Sequence, residues 1–204
     1  RVTLQNGRYL LSEDFPESIG KLHAFNGNVG VLVRAYSYIM SLGAKNLKKV
    51  SQLAVLNANY IKAQLKDTFE LAYDRPCMHE CVFSDILQQP HKVTTLDIVK
   101  RLMDYGFHAP TLAFPVAGTL MVEPTESESV EELDRFCDAM ISIHAEIQRV
   151  VAGEWPRDDN PLVRAPHTAT DVVSDGWDRA YSRETAAFPT AALRSDKYWP
   201  PVGR

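Results

Sequence analysis

Cysteine is scarce: only Cys77, Cys81 and Cys137 occur in 204 residues. So small and odd a set excludes a disulfide framework and fits a reducing cytoplasm. No apolar run approaches the roughly 18 residues that a bilayer-spanning helix requires. The opening Arg1-Val2-Thr3-Leu4 has neither an initiator Met nor a secretory-leader pattern, so the sequence reads as a trimmed piece of something longer. Excess positive charge is missing as well. A formal net charge of −4 and a pI near 5.9 leave no broad cationic field for a phosphate backbone or an anionic membrane. There is no internal repeat and no low-complexity segment. What remains is 45% hydrophobic and 24% charged content, enough for one full core, or for one domain with an appendage.

The first residues alternate weakly, Val2 and Leu4 and then Tyr9 to Leu11 around Asn6-Gly7, which predicts a short hairpin. From Gly27 the period changes. Val29, Leu32, Val33, Tyr36, Ile39 and Met40 recur at helical spacing until Leu42-Gly43, where glycine can end a helix. A second stripe, Leu47, Val50, Ala54, Ala58, Ile61 and Leu65, lies on one face of another helix. Met78 to Phe83 has the length and composition of a strand, and Thr94-Thr95 caps a helix carrying Leu96, Val99, Leu102 and Met103. Thr111 to Phe114 and Thr119 to Glu123 read as antiparallel strands punctuated by Pro115 and Gly118. Ser129-Val130-Glu131-Glu132 opens the longest helix, with Leu133, Phe136, Cys137, Met140, Ile143, Ile147 and Val150 inward. Six of the 12 prolines follow Trp155. That tail also holds Trp177, Tyr181, Phe188, Tyr198 and Trp199, too aromatic for a disordered linker, so it is expected to lie on its own domain or on a partner.

Four clusters could carry chemistry. Cys77, His79 and Cys81 would share one face of a strand and could begin a zinc site, but no second close pair of ligands exists to close it, so no metal is expected. Glu123, Glu126, Glu128, Glu131 and Glu132 gather where a helix begins, where carboxylates are favoured by unpaired amides, and read as a charged helix start. His91-Lys92 could form a Schiff-base pair, but its polar flanks, Gln88-Gln89-Pro90 and Val93-Thr94-Thr95, make it a solvated lysine before a helix cap. Phe25-Asn26-Gly27-Asn28-Val29-Gly30 turns into a helix with glycines that permit close approach of a phosphate. His23 and His108 stand alone and default to structural roles.

Several stretches together resemble the P-protein of the glycine cleavage system, glycine dehydrogenase (decarboxylating). They are Ser18-Ile19-Gly20-Lys21 through Asn28, Leu56-Asn57-Ala58-Asn59-Tyr60, Tyr105 through Thr111, and Phe114 through Ser129. In the tail they include Asp159-Asn160-Pro161-Leu162-Val163, Ala165-Pro166-His167-Thr168, Tyr181-Ser182-Arg183-Glu184 and Asp196-Lys197-Tyr198-Trp199-Pro200. Asp74 through Glu80 is similar to the second subunit of the two-subunit bacterial form.

The resemblance implies an α/β fold class, specifically the C-terminal small α+β domain of the aspartate-aminotransferase-like, pyridoxal-phosphate (PLP)-dependent transferase fold (fold type I), three-layered with a short, mainly antiparallel sheet. It divides the chain into residues 1–26, a strand segment of the large domain, 27–155, the linking helix and small domain, and 156–204, a wrapping tail. The family's cofactor lysine sits in a His-Lys motif before a glycine-rich run. No such run occurs here, so that lysine is expected upstream of Arg1 and no catalytic residue is assigned. Gly27 and Asn28 match a helix start that contacts the cofactor phosphate of a neighbouring site, and His108 and Thr119 fall in motifs near the substrate channel. The intact enzyme is implied to bind glycine through PLP, release CO₂ and pass the aminomethyl group to the lipoyl arm of the H-protein. The chain alone is expected to be inactive. Implied partners are the lipoylated H-protein and the remaining P-protein segment or subunit, in a dimer or heterotetramer, with no nucleic acid and no membrane. The compartment implied is the bacterial cytoplasm, or the mitochondrial matrix if the source is eukaryotic. Two rivals are an autonomous docking domain of the same fold and a relative of serine hydroxymethyltransferase.

Overall fold

The computed structural model describes residues 1–22, 25 and 27–203; His23 and Asn26 lie outside the described residues. The chain forms two compact units, Arg1–Lys48 and Lys49–Arg204.

The first unit opens with the hairpin, β1 (Val2–Gln5) antiparallel to β2 (Arg8–Leu11), with Val2 opposite Leu11 and Gln5 opposite Arg8. Asn6 and Gly7 both take positive φ, 50° and 75°, as a tight two-residue turn between twisted strands demands. Then α1 (Val29–Leu65) begins. The two expected helices are there, run together across a break at the expected place: Gly43 has φ 67° and ψ 167°, non-helical values that a side chain would oppose. Before the break, Val29, Val33, Tyr36 and Met40 are all exposed, so in this unit the apolar stripe meets no core. In the second unit Ala58, Ile61 and Leu65 from the end of α1 are fully buried.

A four-stranded antiparallel sheet organises the second unit in the order β3 (Glu70–Leu71), β4 (Cys81–Ser84), β6 (Thr119–Val122), β5 (Thr111–Leu112). Strand β3 was not anticipated; two residues are too few to show alternation. Strand β4 begins three residues later than expected. Asn59 explains the difference: its side chain donates to the Cys77 carbonyl (2.8 Å) and accepts from the Cys77 amide (3.1 Å), taking the backbone groups a ladder would need. Strand β5 stops two residues early because Ala113 takes a positive φ of 54° and bonds back to the Thr119 carbonyl.

Two helices cover the sheet. In α2 (Thr95–Asp104) the cap works through Asp97, whose carboxylate accepts from both the amide and the hydroxyl of Thr94. At the start of α3 (Val130–Val151) the Ser129 hydroxyl accepts from the Glu132 amide. Leu102, Met140, Ile143 and Ile147 are fully buried between them and join Phe83 and Leu120 of the sheet in one core. The tail packs on this helix pair through α4 (Pro161–Arg164) and α6 (Arg183–Ala187), with the unburied α5 (Ala169–Val173) between them, and buries Trp155, Leu162, Tyr181 and Leu193 in the same core. The expectation that an aromatic tail lies on its own domain is met.

Candidate functional site

Two loops and one helix start frame a groove of about 430 Å³ in the second unit. They are the stretch 106–111 after α2, the end of β6 with residues 123–128, and the first turns of α3. Ile61, Phe107, Leu133 and Phe136 give it an apolar floor, while His108, Glu123, Glu128 and Glu132 carry its polar groups. Two positions of the Asn57-Ala58-Asn59-Tyr60 stretch fasten the surroundings. Asn57 donates to the Thr125 carbonyl (2.9 Å), and the Tyr60 hydroxyl bonds Asp134 (2.5 Å) at the start of α3.

The acidic residues behave as a helix start. The Glu131 carboxyl is held below the usual range by its own backbone amide and by Ser129. Glu132 is held down by the Arg135 guanidinium, which grips it at 2.6 and 2.8 Å. Arg135 also lies over the Phe107 ring at 3.8 Å, so the groove wall is braced from behind. Glu123 is 3.6 Å from His79 Nε2. The lining therefore offers carboxylates and one imidazole, able to bind, orient or exchange a proton, but no amine or thiol.

His108 is exposed on this groove, whereas Thr119 is buried in β6 and does not line it. The Thr119 hydroxyl donates to the Val116 carbonyl at 2.5 Å, closing the loop that precedes it. Gly27 and Asn28 belong to the first unit, at the start of α1. Asn28 Oδ1 accepts from the Val31 amide (3.3 Å) and its carbonyl from Leu32 (3.1 Å), while Gly27 takes φ 108° with only Leu32 Cδ1 near, at 4.0 Å.

The Cys77-His79-Cys81 cluster is taken apart by the late start of β4: Cys81 is buried, Cys77 is half-buried and His79 is exposed. Burial pushes both the Cys77 and the Cys81 thiol up, the opposite of what a thiolate ligand needs. Among the described residues no group of three or more His, Cys, Asp or Glu side chains is arranged to hold a metal ion. Lys92 is exposed with φ 62° at the end of a 3-10 turn, matching the solvated reading.

Sequence reasoning missed the most concentrated polar assembly. Arg101, Asp104 and His167 are fully buried, and Glu146 and Tyr181 nearly so. Arg101 makes a two-pronged bond to Glu146 (2.6 and 2.8 Å), a bond to Asp104 (2.9 Å), and bonds to the Thr185 and Ala186 carbonyls of the tail. Asp104 also accepts from the amide and Nδ1 of His167, each at 2.7 Å, and His167 Nε2 meets the Tyr181 hydroxyl at 2.8 Å. Carboxylates on two sides hold the Arg101 guanidinium charged although burial opposes it. A signal existed: Arg101 falls on the apolar stripe with Ile98, Leu102 and Tyr105, where a lone charge needs buried partners.

A short antiparallel sheet backed by paired helices, with a braced groove lined by carboxylates and one imidazole, defines a small α+β domain. The family described as "Glycine dehydrogenase, C-terminal domain" matches residues 50–167, more than half of the chain, and the chain belongs to it. Glycine dehydrogenase (decarboxylating) of Serratia proteamaculans is 56% identical over 183 residues, covering 87% of this chain and 19% of that protein. The Bartonella henselae enzyme of the same name is 49% identical over 197 residues, with coverage of 92% and 21%. The Photobacterium profundum enzyme is 53% identical over 183 residues. The chain thus spans about a fifth of the length of these relatives.

Proposed function

We propose that this chain is the C-terminal part of a PLP-dependent glycine decarboxylase, the P-protein of a glycine cleavage system, and that it works only with the remaining P-protein segment or subunit. The observation that carries this reading is 56% identity over 183 residues to an enzyme of that name, in a match that takes only a fifth of it. The short antiparallel sheet with helices on it suits the small domain of the fold-type-I transferases. PLP would supply the electron sink that lets glycine lose its carboxylate as CO₂. The aminomethyl group would then pass to the lipoyl arm of the H-protein.

The described residues fit the cofactor only in part. The glycine-bearing start of α1 at Gly27 and Asn28 suits a phosphate, although the Asn28 side chain already takes the Val31 amide. Four of the lysines do not suit its aldehyde. Lys62 is engaged by the Arg75 carbonyl and Asp74, Lys100 by Asp97, and Lys197 by the Asp104 carbonyl, while Lys92 is exposed. These four lysines therefore carry no step of the reaction in this chain. Its own contribution is to bind and exclude water: His108 and the Glu123 and Glu128 carboxylates form a rim over an apolar floor, next to which Thr119 shapes the loop at 114–116. A full-length enzyme carrying this chain is expected to catalyse glycine-dependent CO₂ release when PLP and lipoylated H-protein are supplied. Failure of that reaction with all components folded contradicts the assignment.

A further inference from the structure

Two loops leave the same end of the sheet and present bare apolar side chains. Ile86 is 60% exposed and Leu87 59% on the loop after β4, and Phe114 is 58% exposed and Val116 42% on the loop between β5 and β6. The Asp85 amide bonds the Gly118 carbonyl, and Ser84 pairs with Thr119, so the loops are neighbours. Apart from Asp85 itself, neither 85–90 nor 112–119 holds a charged residue, in a chain with 24% charged content. Such a surface suits an apolar protein face and not an anion or a nucleic acid.

The loops are held stiffly from within. Asp85, 2% exposed, spends one carboxylate oxygen on the Thr95 amide (2.8 Å) and the other on Gln89 Nε2 (2.6 Å). Gly118 lies so close that a Cβ there would stand 2.9 Å from Asp85 Oδ1. Ala113, next to the exposed ring of Phe114, holds a left-handed φ of 54°, a conformation that its Cβ opposes. Strain of this kind persists only where surrounding bonds over-determine it. A rigid apolar projection loses little entropy when it is covered.

We infer that this end of the sheet is the seat of the rest of the glycine decarboxylase polypeptide, a conclusion that rests on the proposed function above. The relatives are about five times as long as the stretch this chain matches, so the occupant is at hand in the same protein, and a permanent contact is the kind that uses an uncharged face.

The test compares hydroxyl-radical labelling of the 204-residue chain with that of the full-length enzyme carrying it. In the full-length enzyme Ile86, Leu87 and Phe114 should label at least tenfold more slowly than in the isolated chain, and Val173, 79% exposed in α5, should label equally in both. Phe114→Glu in the full-length enzyme should cut glycine turnover about tenfold, and Val173→Glu should leave it unchanged. Equal labelling of Phe114 in both proteins overturns the inference. So does protection that vanishes when a dimer is diluted to monomer, which would assign the face to a second copy. If the full-length enzyme turns over glycine in either case, the proposed function stands without the seat; if it does not, the proposed function fails first.

Discussion

Arg101 shows how one residue can tie a tail to a domain. Its guanidinium meets two carboxylates and two carbonyls with no water access, and removing one partner of such a buried set strands the other charge. Arg101→Ala is expected to lower the unfolding free energy by about 3–5 kcal/mol, read from urea melts; a loss under 1 kcal/mol contradicts the burial. Lys197 gives a pH signature. Burial lowers its amine from the ordinary 10.5 to about 8, Arg101 adding to the effect and Asp104 opposing it. Between about 8 and 10.5 the unfolded chain binds more protons at this site than the folded one, so its contribution to stability rises with pH across that window. Below it, the full cost of burying the ammonium is present. Lys197→Met should flatten that rise, and an NMR titration of the Lys197 side chain should show a midpoint near 8; a midpoint above 10 contradicts it.

At the scale of elements, much was legible because periodicity survives in the chain: the hairpin turn at Asn6-Gly7, the break at Gly43, the cap at Thr94 and the stripes of α2 and α3 all lie where the residues put them. The misplaced start of β4 has a non-local cause, the Asn59 side chain 18 positions away from Cys77, and no window of sequence around Met78 contains it. The same holds for the site. His108 on the groove was legible as a motif residue, but the braces from Asn57, Tyr60 and Arg135 are contacts between elements. Gly118→Ala combines an unfavourable φ of 71° with a clash against Asp85 and Gln89; it should cost about 1–3 kcal/mol in a thermal or urea melt, and a neutral effect contradicts the tight packing. Deleting 156–204 would strip His167 from Asp104 and both tail carbonyls from Arg101. It should abolish a cooperative thermal transition, and a retained sharp melt contradicts the tail's place in the core.

For the whole molecule, composition spoke only coarsely: among the described residues no helix is long and apolar enough to cross a membrane, and one core holds sheet, helix pair and tail. Membership in the glycine dehydrogenase C-terminal family came from motifs, since nothing in a groove of carboxylates and one imidazole names glycine. The proposed function divides the labour: this chain would supply a small α+β domain, and other polypeptide the residue that would hold PLP. Glycine-dependent exchange of labelled bicarbonate by the purified 204-residue chain with PLP and lipoylated H-protein tests it most directly. No exchange above the enzyme-free background is expected, and exchange that persists in material free of full-length enzyme contradicts the division.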